Sequence, residues 1–132
     1  MSTLLLDTNI ISFLFKCDTR TERYTLHLHD QELAIAIMTV AELFQWAAMR
    51  NWGEARIARL EQYLDHYTIL PVDIETCRCW ANIRAIRSAA GLPISPQDAW
   101  IAATALRYRL PLVTHNPDDF QQIPGMTIIT EA

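Results

Sequence analysis

Leu4-Leu5-Leu6 runs without interruption into Asp7-Thr8-Asn9, and an apolar helical pattern resumes at once through Ile10, Ile11, Phe13 and Leu14. The stretch reads as a short buried strand that ends in a carboxylate and feeds directly into a helix. In an open α/β sheet, ligands bind in the crevice outside the carboxyl ends of the strands. Asp7 therefore has two readings from this stretch alone. It is an N-cap, since Asp, Thr and Asn all cap well, or it is a carboxylate pointing into that crevice.

The same grammar repeats along the chain. Thr19 to Asp30 reads as a second short helix, and Leu33 to Met38 as an apolar run of strand length. Thr39-Val40-Ala41-Glu42 matches a capping box, so Glu42 has a purely local reading: it reaches back to a backbone amide. The helix that follows carries Leu43, Phe44, Trp46, Ala47 and Met49, and Asn51 to Gly53 breaks it. Glu54 to Tyr67 is amphipathic, with Ile57, Leu60 and Leu64 on one face. Ile69 to Val72 is a short strand at an edge or an end, because Pro71 cannot donate to a ladder. Asp73 opens a long helix through Ala90, closed by Gly91. Ser95 caps the next helix with Pro96 at its first position and Asp98 in its first turn. Leu112 to Thr114 is a strand, His115 to Asp119 a polar loop, and Met126 to Thr130 a last strand. Short apolar strands that do not alternate, separated by helices, predict a single three-layer α/β domain over residues 1–132 with a mostly parallel central sheet.

Composition narrows the class. Hydrophobic residues make up 51% of 132, enough for a packed core, and no apolar run approaches the roughly 20 residues of a membrane span. With no signal-peptide pattern at the N-terminus, the expected location is cytoplasmic, with no membrane partner. Cys77 and Cys79 lack a second pair for zinc, Cys17 stands alone, and His27 and His29 read as surface histidines. The net charge of −4 is not that of a general nucleic-acid binder. It is compatible with an acidic cluster that holds cations and thereby receives phosphates. The arginines on predicted helices, Arg87 among them, read mostly as solvated faces.

The acids at strand ends or helix starts are Asp7, Glu42, Asp98 and the Asp118–Asp119 pair. A parallel sheet gathers those positions on one edge. Each has a capping or dipole explanation by itself, but their coincidence points to a cation site. Oxygen donors suit Mg²⁺ or Mn²⁺, and such a cation activates water for attack on a phosphodiester. Only three glycines are present and none forms a phosphate loop, which argues against nucleotide cofactors; no nucleophile-elbow serine is present. A receiver-type signalling domain is disfavoured because the one lysine, Lys16, is in the wrong place.

Leu6-Asp7-Thr8-Asn9, Thr39-Val40-Ala41-Glu42-Leu43, Pro96 to Ala105, and Leu112-Val113-Thr114-His115-Asn116-Pro117-Asp118-Asp119-Phe120 together resemble the PIN-domain family, in particular its VapC-type toxins. The resemblance covers nearly the whole chain. It implies a Mg²⁺- or Mn²⁺-dependent endoribonuclease acting on RNA such as tRNA and leaving a 5′-phosphate and a 3′-hydroxyl. Asp7, Glu42 and Asp98 would be the core acids and metal ligands, with Thr8, Asn9 and Thr114 as supporting polar residues. Asn116 stands where the family often has a fourth acid, and Asp119 is the substitute within reach. The resemblance further implies a VapB-like antitoxin partner, a homodimer, and a hetero-oligomer with the antitoxin. The helices at Thr39 and Glu54, with Trp46 and Trp52, are candidate faces for either, although Trp46 and Trp100 read first as core. The alternative function is a catalytically weak or inactive PIN-like module that binds RNA or an antitoxin, for which Asn116 is the support.

Overall fold

The computed structural model describes residues 2–132. Five strands form one sheet in the order β3-β2-β1-β4-β5, and every pairing is parallel. The strands are β1 (Thr3–Leu6), β2 (Glu32–Ala36), β3 (Thr68–Leu70), β4 (Leu112–Val113) and β5 (Ile128–Ile129). The helices are α1 (Thr8–Phe15), α2 (Thr25–Leu28), α3 (Ile37–Met49), α4 (Glu54–Leu64), α5 (Ile74–Ala89) and α6 (Pro96–Tyr108).

Successive side chains on a strand point to opposite faces, and here both faces are apolar. Leu4 and Leu6 of β1, Ile35 of β2 and Val113 of β4 join Ile10, Ile11, Leu43, Leu60 and Leu64 in one core, under α1, α3 and α4. Leu5, Ala34, Ala36 and Leu112 join Ile83, Ile101 and the alanines of α6 in the other, under α5 and α6. Two cores on one sheet explain why the strands read as continuous apolar runs. The buried alanines Ala99, Ala102, Ala103 and Ala105 let the backbone of α6 approach the sheet closely.

Strand order sets the site. The chain leaves β1 for β2 on one side and later returns to β4 on the other. The carboxyl end of β1 is thus the point where strand order reverses, which is where a crevice opens in such sheets. Asp7 is the first residue beyond β1.

Several boundaries differ from expectation. The second strand stops at Ala36 and α3 starts at Ile37, with no side-chain cap, so the Thr39–Glu42 capping box does not form. Thr39 lies inside the helix and is fully buried. Residues Thr19 to Asp30 form a 3-10 turn (Thr19–Arg23) followed by the single turn of α2 rather than one helix, because the Asp18 carboxylate caps locally at the Arg20 amide. The fourth helix ends at Leu64, and the last strand shrinks to two residues. The predicted caps at Asp73 and Ser95 are present, and Gly91 adopts φ of 73°, the left-handed conformation that terminates a helix. No helix among the described residues is long and apolar enough to cross a membrane.

Candidate active site

Asp7, Thr8, Asn9, Glu42, Trp46, Asp98, Asn116 and Asp119 line a single cleft of about 130 Å³. Four separate pieces of chain deliver them. Asp7, Thr8 and Asn9 come from the β1–α1 junction, and Glu42 and Trp46 from one face of α3, one turn apart. Asp98 comes from the first turn of α6, and Asn116 and Asp119 from the loop and 3-10 turn (Pro117–Phe120) beyond β4. Asp118, the other half of the predicted pair, does not line the cleft; Phe120, buried behind it, anchors the turn.

Asp7 fulfils both of its sequence readings. Its Oδ1 accepts from the Thr8 amide at 2.7 Å, the capping bond. Its Oδ2 accepts from the Thr114 hydroxyl, also at 2.7 Å. Thr114 Oγ1 in turn accepts from the Asn116 amide at 3.1 Å, so one threonine joins the end of β1 to the loop beyond β4. Asn9 Oδ1 accepts from the His115 amide at 3.3 Å and stitches the same two segments. The His115 ring packs edge-on to Phe13 and Tyr24, and the Tyr24 hydroxyl bonds its Nδ1.

Glu42 is released from the capping role and turned into the cleft. The Thr8 hydroxyl donates to Glu42 Oε1 at 3.0 Å and contacts the Thr39 hydroxyl at 2.9 Å. A hydroxyl has one proton. When Glu42 is ionised, Thr8 gives that proton to the carboxylate, and Thr39 must donate to Thr8. Thr8→Val is therefore expected to remove the support of Glu42 and lower any Glu42-dependent activity roughly tenfold, while Thr39→Val acts more weakly through Thr8. Order-of-magnitude losses of this kind follow from breaking a buried hydrogen-bond chain worth about 1–1.5 kcal/mol. Equal activity of Thr8→Val and wild type would show that the chain of hydroxyls is idle.

The electrostatics match a site short of positive charge. Burial lifts the Asp7 carboxyl from 3.8 to about 6, against the opposing bonds from Thr114 and Thr8, with Asp98 and Glu42 adding repulsion. Burial also raises Glu42, reinforced by Asp98 and opposed by Thr8. Asp98 is raised by burial and by the Asp119 charge, and opposed by Ser95 and Arg87. Three carboxyls pushed the same way by burial and by neighbouring carboxylates favour a bound cation or a proton.

The donor set is all oxygen, which fits a hard cation and not zinc. Among the described residues no three His, Cys, Asp or Glu side chains stand close enough together to hold a metal ion directly. The reading of Asp7, Glu42 and Asp98 as ligands is compatible with this spacing where water lies between a carboxylate and the cation. A cation that keeps several waters and takes one or two carboxylates, as Mg²⁺ does, fits it.

Sequence reasoning missed Arg87. It is 6% exposed, on the buried stripe of α5 with Thr76 and Ile83. Its Nε donates to Leu92 O at 2.6 Å, and its Nη1 to Asp119 O and Gln121 O at 3.0 and 3.1 Å. Its spacing four residues after Ile83 was the available signal. Trp46, read as core, is half-buried at the cleft wall, and Trp100 is half-buried and stacked on Trp80 with ring centroids 4.8 Å apart.

The PIN domain profile matches residues 4–126. The chain belongs to the PIN-domain family. Its similarity extends to VapC ribonucleases along almost their full length. It is 30% identical over 128 residues to the tRNA(fMet)-specific endonuclease VapC of Salmonella typhimurium, covering 97% of each chain. It is 31% identical over 124 residues to ribonuclease VapC1 of Haemophilus influenzae, covering 92% of each. This PIN domain also superposes on the DNA-bound VapBC structure from Salmonella typhimurium with a TM-score of 0.84, at 30% identity and 98% coverage of both chains. The likeness to VapBC2 of Rickettsia felis, with a TM-score of 0.86 over 100% of both chains at 23% identity, is one of fold. The chain is a ribonuclease of the VapC toxin type.

Proposed function

We propose that this VapC-type ribonuclease is a divalent-metal-dependent endonuclease whose working groups are Asp7, Glu42 and Asp98, with Asn116 and Asp119 at the far wall of the cleft. The observation that carries the reading is the convergence of three carboxyls from three separate elements on one cleft, each with its proton affinity raised. Asp7 and Asp98 hold the cation, directly or through water. When bound, Mg²⁺ or Mn²⁺ supplies positive charge for the phosphoryl oxygens and acidifies a water. Asp7 is fixed for this task by Thr8 and Thr114. Thr8 occupies Oε1 of Glu42, which leaves Oε2 to accept a proton from the attacking water and orient it in line with the scissile phosphate. The products are a 5′-phosphate and a 3′-hydroxyl. Transfer RNA is the substrate to try first, because relatives at about 30% identity are tRNA(fMet)-specific endonucleases. Solved relatives are toxin–antitoxin complexes, and a VapB-like antitoxin is proposed for this chain on that basis; the homodimer rests on the family resemblance alone.

The test is cleavage of total tRNA by the chain freed of any copurifying partner, with Mg²⁺ or Mn²⁺ and with EDTA, beside Asp98→Ala. Cutting that needs metal and is lost in the variant is the expected result. Cutting that persists in EDTA overturns the metal, and a folded wild type that cuts nothing across a broad RNA and metal panel favours a binding module. Asn116→Asp adds a carboxylate where the cleft has an amide. It is expected to lower the Mg²⁺ concentration for half-maximal cleavage roughly three- to tenfold, since affinity for hard cations follows the charge count of the ligands. An unchanged Mg²⁺ titration would place residue 116 outside the cation's reach.

A further inference from the structure

Beyond the acidic cleft, the described residues hold a set of cations that have no carboxylate partner. Ion pairs account for Arg20 with Asp18, Arg78 with Glu75, and Arg107 with Asp73. Lys16, Arg50 and Arg56 are in none of them. They come together from three elements: Lys16 caps the end of α1, Arg50 caps the end of α3, and Arg56 lies in the first turn of α4. Helix dipoles account for a cation at the first two places. They oppose one at the third, so helix electrostatics do not explain Arg56. Its guanidinium lies 3.7 Å over the Trp52 ring, and Trp52 stacks on Phe15 at 6.0 Å. The Arg50 guanidinium lies 5.4 Å from the centroid of Trp46, the residue that forms the cleft wall beside Glu42. The cations thus begin at the rim of the cleft. Their mutual closeness is felt at Lys16, whose amine is lowered by burial first and then by Arg50 and Arg56, with Asp18 opposing and Arg20 adding. Glu54, in the same turn as Arg56, makes no ion pair with any of them.

We propose that Lys16, Arg50 and Arg56 form the track that holds the RNA backbone on one side of the scissile bond, each taking a phosphate, with Trp46 leading the strand from the track into the cleft. The proposal rests on the nuclease reading of that cleft and gives it a substrate path. An acidic cleft repels RNA until its cation arrives, and a chain of net charge −4 offers little general attraction. Three cations outside any ion pair, Arg50 and Arg56 held on the Trp46 and Trp52 rings and Lys16 beside them, supply attraction on the side of the cleft that Trp46 walls. Arginine held over an indole keeps its outward N–H groups free for phosphate oxygens.

The test is the triple variant Lys16→Gln, Arg50→Gln, Arg56→Gln, with Arg50→Glu as a single-site companion in case the triple variant folds poorly. Binding of a fluorescent tRNA is measured by anisotropy in EDTA across a salt series, independently of cutting. The triple variant is expected to bind at least about tenfold more weakly, and its log-affinity against log-salt slope to fall by about 2, as the loss of three phosphate contacts requires. In cleavage with Mg²⁺, KM for tRNA rises while kcat holds, and a tetranucleotide that fills only the cleft is cut as by wild type. Wild-type affinity and slope in both variants overturn the track. Variants that bind RNA normally but lose an acidic antitoxin segment also overturn it, assigning the cations to a protein partner. A wild type that binds RNA through these residues yet never cuts it fails the nuclease reading and leaves the track standing.

Discussion

Asp7→Asn is expected to abolish RNA cleavage and, with metal absent, to give a more heat-stable protein than wild type. Both halves follow from one carboxylate. Its loss removes a group proposed to hold the cation, and removal of one such charge-stabilising group costs about 10²-fold or more in rate. Asparagine keeps an oxygen to accept from the Thr8 amide but carries no charge to bury. The Asp7 carboxyl is ordinary at 3.8 when unfolded and about 6 when folded, so near neutral pH the folded state bears a cost of roughly 3 kcal/mol. Below pH 4 the group is protonated in both states and the cost vanishes. Between 4 and 6 the folded state holds a proton that the unfolded state has released, and stability falls as pH rises. Above 6 the full cost is present. Metal-free wild type is therefore more stable at pH 5 than at pH 7, and Glu42 and Asp98 are shifted in the same direction. Asp7→Asn flattens this profile and raises Tm at pH 7 by roughly 5–10 °C. Mg²⁺ raises the Tm of wild type by binding the folded state and raises that of the variant much less. Melts at pH 5 and 7, with Mg²⁺ and with EDTA, read all of this without any assay of activity. A variant that melts below wild type in EDTA at pH 7 would contradict the account of Asp7.

Arg87→Met is expected to destabilise the domain by roughly 3–4 kcal/mol, because three charge-assisted bonds to backbone carbonyls disappear together. For a chain of this size that is about 10 °C in Tm. The carbonyls belong to Leu92, beyond the end of α5, and to Asp119 and Gln121, at the end of the 3-10 turn. Arg87 therefore clamps the acidic loop to the helix pair behind it. Its positive charge also opposes the rise at Asp98. Its role toward the cleft is positioning, and Arg87→Lys separates charge from geometry. Lysine keeps the charge but lacks the planar fork that reaches several acceptors. Lysine is expected to restore little of the stability, while keeping Asp98 closer to its wild-type titration by NMR than methionine does. Stability within about 1 kcal/mol of wild type for Arg87→Met would refute the clamp.

The parts of the site that were legible in the sequence are those announced by their own neighbours. Leu4-Leu5-Leu6 before Asp7 marks a strand end without any knowledge of the rest of the chain, and Ser95-Pro96 marks the start of the helix that carries Asp98. The parts that were not legible depend on distant partners. Thr39 and Glu42 have a perfect local reason to cap a helix, and the structure overrides it because Thr8, more than thirty residues away, takes both side chains. Arg87 is on the buried stripe of its helix, but nothing near it in sequence says that carbonyls beyond residue 118 await it. Trp46 satisfies an apolar face and a cleft wall at once, and periodicity sees only the first.

The pairing of Asp7 with Thr114 spans 107 residues, and the Glu131 amide closes on the Tyr24 hydroxyl across the same separation. During synthesis on the ribosome, β1 emerges before β4 and has one flank bare until β4 follows. A nascent chain that ends before Leu112 has Asp7 but neither the hydroxyl that holds it nor the loop that walls its cleft. The order of the strands therefore acts as a timer. The cleft stays unassembled until β4 and the loop beyond it have been made, and the contacts that complete it are long-range ones, which form late and slowly.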